Sequence, residues 1–63
     1  MTVKDFLESQ GWAVNDLADR LGVHRLTIYQ RQNSGWEIDY YTLNGKRRIG
    51  WTKPNGGIWF DEG

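Results

Sequence analysis

Residues 15–34 read NDLADRLGVHRLTIYQRQNS. Leu17, Ala18 and Leu21 recur at helical spacing and share one face of a short helix. Gly22 stops that helix, because glycine enters the left-handed backbone region without steric cost. Val23 follows as an apolar plug. A second helix starts at His24 or Arg25, turns Ile28 inward and extends to Asn33. Asn15 is the expected N-cap of the first helix of this pair, with Asp16 well placed in its first turn. Ala18 is small where the two helices cross. The pattern predicts two short helices folded tightly on each other.

Working outward toward the start of the chain, Thr2 followed by Asp5 reads as a weak capping box. Val3, Phe6, Leu7 and Gln10 lie on one stripe of a supporting helix that Gly11 terminates. Trp12, Ala13 and Val14 make an apolar connector.

Toward the end of the chain, Ser34-Gly35 stops the second helix of the pair, and the period then changes from helical to alternating. Ile38, Tyr40 and Thr42 fall on one side of a strand, with Glu37, Asp39, Tyr41 and Leu43 on the other. Asn44-Gly45 is a strong signal for a two-residue hairpin turn. That loop sets Tyr40 opposite Ile49 and Ile38 opposite Trp51, so turn chemistry and apolar pattern agree on one register. A second turn signal stands at Pro54-Asn55-Gly56-Gly57. Read as another two-residue loop, it sets Trp51 opposite Phe60 and Lys53 opposite Ile58, and sends Trp59 to the outer face. Trp36 and Trp51 are the expected core tryptophans. Asp61, Glu62 and Gly63 read as a polar tail.

Sixty-three residues make one domain, 1–63, near the lower size limit for independent folding. Four Trp, three Tyr and two Phe offer the large buried areas that so short a chain needs. There is no cysteine, no apolar run of membrane-spanning length and no signal-peptide pattern, so a cytoplasmic protein is the expectation. The formal net charge is zero, but the charges are segregated. Residues 1–19 set Lys4 against Asp5, Glu8, Asp16 and Asp19. Residues 20–53 carry Arg20, Arg25, Arg31, Lys46, Arg47, Arg48 and Lys53 against Glu37 and Asp39 alone. A domain polarised in this way can turn one basic face toward phosphates.

Leu17, Ala18, Leu21, Gly22, Val23 and Ile28 together resemble the helix-turn-helix of DNA-binding proteins, whose second helix enters the major groove. The layout of helix, helix-turn-helix and β-hairpin is similar to that of winged-helix regulators. From Leu17 to Ile49 the chain looks like the small winged domain at the front of biotin-operon repressors, on Leu21-Gly22-Val23, then Gly35, Trp36 and Ile38, then Asn44-Gly45-Lys46. Against the helix-turn-helix motif, the apolar residue three places after Ile28 is here Arg31. Against the winged domains, the recognition helix looks about a turn shorter, and the strand at 54–60 lies outside their pattern. The implied fold is α+β: three short helices with a helix-turn-helix, then a small antiparallel sheet of two or three strands.

The resemblance implies a sequence-specific duplex-DNA-binding protein, a small transcriptional regulator of phage or mobile-element type. Residues 24–33 would lie in the major groove, and the wing at 44–48 along backbone or minor groove. On the recognition helix the candidate contacts are His24, Arg25, Leu26, Thr27, Tyr29, Gln30 and Arg31. Arg25 suits guanine and Gln30 adenine, His24, Thr27 and Tyr29 suit phosphate, and Leu26 suits a thymine methyl. Arg31 either reaches the backbone or covers the core with its alkyl stem. On the wing the candidates are Lys46, Arg47 and Arg48, for which protection of the hairpin edge is the competing role. One copy makes few contacts, so a homodimer or repeated binding along DNA is expected for useful specificity.

A protein-binding module of the same shape, docking on a host or packaging protein, is the second reading. Zero net charge, Leu26 and Trp59 favour it. An αα-hairpin with no nucleic-acid role is a third. Enzymatic readings are poor: one histidine, no cysteine and no phosphate-cradling glycine loop argue against catalysis, a metal or a cofactor.

Overall fold

The computed structural model describes residues 1–61; Glu62 and Gly63 of the polar tail lie outside the described residues. Three helices, α1 (Val3–Gln10), α2 (Val14–Leu21) and α3 (Arg25–Asn33), precede three strands, β1 (Glu37–Leu43), β2 (Lys46–Thr52) and β3 (Ile58–Trp59). The strands form one antiparallel sheet in the order β1-β2-β3. This is the α+β, winged-helix layout read from the sequence.

All three helices stop in the same way. Gly11, Gly22 and Gly35 take φ of +73°, +69° and +84°. After each glycine an apolar residue donates its amide back to a carbonyl five residues earlier: Trp12 to Leu7, Val23 to Ala18 and Trp36 to Arg31. That closure satisfies orphan carbonyls at the helix end and drives the apolar side chain back against the last turn. Trp12, Val23 and Trp36 all pack at the margin of the core.

The helix starts differ from one another. The Thr2 hydroxyl accepts from the Asp5 amide, as the capping reading requires. At α2 the expected N-cap, Asn15, is already helical, and the cap position is Ala13. Alanine has no acceptor, so Asp16 closes the end from inside, its carboxylate accepting from the Ala13 amide at 3.0 Å. The helix thereby gains Val14, which packs against the core.

The core takes side chains from five of the six elements: Val3 and Phe6, then Leu17, Ala18 and Leu21, then Ile28, Ile38 and Trp51. Phe6, Leu17, Ile28, Ile38 and Trp51 have no exposed surface at all. The β1–β2 register is the expected one, Ile38 opposite Trp51 and Tyr40 opposite Ile49. Asn44 and Gly45 both take positive φ, +52° and +77°, the backbone a two-residue hairpin loop demands. Outside the sheet, the Ile38 amide donates to the Met1 carbonyl and the Tyr40 hydroxyl donates to Gln10, fastening β1 to α1.

The second hairpin departs from expectation by one residue. Trp51 pairs with Trp59 and Thr52 with Ile58. The loop holds three residues, Pro54, Asn55 and Gly56. The Gly56 amide donates to Lys53, Gly56 takes φ of +91°, and the Lys53 amide donates to Gly57. The Asn55 side chain fixes the exit by accepting from the Gly57 amide at 2.9 Å. Because strand faces alternate, this single slip exchanges two aromatics. Trp59 shares the core side of the sheet with Trp51, at its margin and 45% exposed. Phe60 goes to the outer face, edge-on to Tyr41 across buried Gly50.

Candidate nucleic-acid interface

Helix α3 is held by very little of its own surface. Ile28 is fully buried, and Arg31, one turn on, faces the sheet. The opposite side is left outward: His24, Arg25, Leu26, Tyr29 and Gln30 are exposed and Thr27 is half-buried. Leu26 and Tyr29, one turn apart, are 57% and 45% exposed.

The start of α3 is built by His24, whose Nδ1 accepts from the Leu26 amide at 3.1 Å. A neutral ring accepting at Nδ1 carries its proton on Nε2, so the outer edge of the imidazole is a donor. The first turn of α3 has no acidic side chain, unlike those of α1 and α2, where Asp5 and Asp16 stand. Exposed Arg25 begins the helix, so the positive end of the helix dipole and a guanidinium lie together.

Arg31 does not join this group. Its guanidinium makes a two-pronged bond to Asp61, Nη1 to Oδ2 at 2.6 Å and Nη2 to Oδ1 at 2.7 Å. The two side chains are only 15% and 5% exposed. Arg31 also lies 5.0 Å from the ring centres of both Trp36 and Trp51. Of the two roles open to it in the sequence, the structure gives it the inward one. Asp61 further accepts from the indole nitrogens of Trp51 at 2.9 Å and Trp59 at 3.1 Å. Burial pushes the Asp61 carboxyl up. The bonds from Arg31 and Trp59, the Arg31 charge and the Trp51 bond outweigh that, and its pKa falls below the ordinary 3.8.

At the wing, Lys46 and Arg47 are exposed and Arg48 is half-buried. Lys46 pairs with Leu43 and Arg48 with Tyr41 across the hairpin, while Arg47 continues the core face and stacks on Tyr40 at 4.3 Å. A cleft of about 560 Å³ opens beneath this hairpin, lined by Trp12, Arg20, Tyr40, Ile49 and the three wing cations. Its position brings Arg20, which the sequence offered only as one charge among many, beside Lys46 and Arg47. No periodicity links Arg20 to a hairpin more than twenty residues away, so no local signal could have found the pairing.

Among the described residues no group of three or more His, Cys, Asp or Glu could hold a metal ion, and no helix is long and apolar enough to cross a membrane. Comparison with protein-family models, with curated proteins and with solved structures finds no match for the chain.

Proposed function

We propose that the chain is a sequence-specific duplex-DNA-binding protein, a small transcriptional regulator of phage or mobile-element type. Residues 24–33 enter the major groove, and the hairpin at 44–48 lies on backbone or minor groove. One observation carries the reading: α3 commits Ile28 and Arg31 to the interior and presents His24, Arg25, Leu26, Tyr29 and Gln30 outward. Those residue types supply both the phosphate and the base-edge contacts that groove reading requires. Exposed Lys46 and Arg47 add sequence-independent attraction to phosphate.

A second reading, docking on a protein partner, is favoured by the exposure of Leu26, Ile58 and Trp59. A mobility-shift titration at several salt concentrations separates the two. DNA binding predicts affinity for random duplex that falls steeply with salt, and a tighter sequence recoverable from a random oligonucleotide pool. Absence of any salt-sensitive affinity sinks the DNA reading.

A further inference from the structure

Among the described residues, the cleft beneath the hairpin gathers four cations and no carboxylate in its lining. It is lined by Arg20 at the last turn of α2, by Lys46, Arg47 and Arg48 on β2, and by the rings of Trp12 and Tyr40. Two of the arginines are held by aromatic faces: the Arg20 guanidinium lies 4.0 Å over Trp12, and that of Arg47 lies 4.3 Å over Tyr40. A ring under a guanidinium fixes its plane while leaving the in-plane N–H groups at its edge free to donate. Arg31 shows the contrast within one molecule, since both its terminal nitrogens are spent on Asp61.

We propose that Arg20, Lys46 and Arg47 form a second phosphate-binding site, separate from the outer face of α3, which grips the phosphodiester backbone of a nucleic acid. Guanidinium planes match the tetrahedral oxygens of phosphate in a two-pronged contact. The cleft is open, as a continuous strand requires. Trp12 and Tyr40 act as positioning residues, holding the two guanidiniums in place before any anion arrives. The assignment rests on the proposed DNA binding for its ligand but not for its geometry.

The test is an NMR titration of the full chain with a random-sequence duplex of about 20 base pairs, a length near two helical turns. It follows the Trp12 indole N–H and the side-chain Nε–H of Arg20, Arg47 and Arg25. The expected result is salt-sensitive shifts at Trp12, Arg20 and Arg47. Shifts at Arg25 alone overturn the cleft and leave the α3 reading standing. Shifts at the cleft alone support the cleft and remove α3 from the major groove. Absence of both overturns both. In the same assay Arg20→Gln should weaken random-duplex binding and lower the salt slope by about 0.9, one phosphate's worth, while Arg20→Lys should restore the slope but only part of the affinity. An unchanged slope in Arg20→Gln overturns the proposal. Inorganic pyrophosphate, matched for phosphate concentration, should bind more weakly than the duplex. Equal or tighter binding assigns the cleft to small phosphates and overturns the backbone grip.

Discussion

Arg31 and Asp61, thirty residues apart, meet in a two-pronged ion pair with bonds of 2.6 and 2.7 Å. The pair joins the last turn of α3 to a residue two places past β3, and the Trp51 and Trp59 indoles complete it by donating to the same carboxylate. A strand of two residues has little pairing of its own, and Asp61 supplies a tertiary attachment that β3 lacks.

Removing one partner should therefore cost far more than a surface pair would. Asp61→Ala is expected to destabilise by about 2–3 kcal/mol, because it leaves a part-buried guanidinium and the indole N–H of buried Trp51 without their acceptor. Domains of this size hold on the order of 3–5 kcal/mol in total, so the variant should be close to half-unfolded. Arg31→Met combined with Asp61→Asn removes the stranded charge and keeps an acceptor for the indoles, and should recover part of the loss. Urea midpoints measured on the three chains check this.

The same pair predicts an acid limb. The folded pKa of Asp61 lies below its ordinary 3.8, so the unfolded chain binds the proton more readily. The contribution is complete above about pH 4 and disappears as pH falls through the folded value. Urea midpoints taken from pH 6 down to pH 2 should show wild type and Asp61→Asn converging as the pH drops. A gap that stays constant would remove Asp61 as the source.

Gly50 should resist even the smallest side chain. A Cβ there would stand 2.8 Å from both Phe60 and Tyr41. Gly50→Ala is expected to destabilise by about 1–2 kcal/mol by overpacking, and Phe60→Ala in the same chain should relieve only the part due to Phe60, leaving the Tyr41 contact. Thermal unfolding of the double-mutant cycle gives the coupling directly.

On the proposed interface, Arg25→Ala should relax selection at one base position at a cost of about 1–3 kcal/mol on the preferred sequence. Arg47→Ala should weaken all sequences alike and reduce the salt slope. Equal losses on every sequence for Arg25→Ala would remove its base-reading role.

Much of the architecture was legible because its signals are local. Gly11, Gly22 and Gly35 mark three helix ends unaided, and Asn44-Gly45 fixes a register that the apolar alternation independently requires. The second hairpin is ambiguous in sequence because Pro54-Asn55-Gly56 admits loops of two or three residues. Nothing in the strand residues chose between them until Phe60 found space over Gly50. The start of α2 is ambiguous in sequence for a similar reason: Asn15 is the better cap in isolation, but Asp16 closes the end from inside and brings Val14 onto the core. Arg31 and Asp61 were opaque in kind. A lone arginine at an apolar position and an acid in a polar tail gain their meaning only when folding brings them together. The outward residues of α3 followed from helical spacing once Ile28 was set inward, whereas Arg20 beside the wing depends wholly on tertiary placement.

Because the interior asks α3 for little beyond Ile28 and Arg31, the rest of that helix is nearly free of architectural duty. Substitutions at positions 25, 26, 29 and 30 can accumulate with small effect on folding. Whatever surface the helix meets, the preference for it can drift or be rewritten while the scaffold beneath is inherited unchanged.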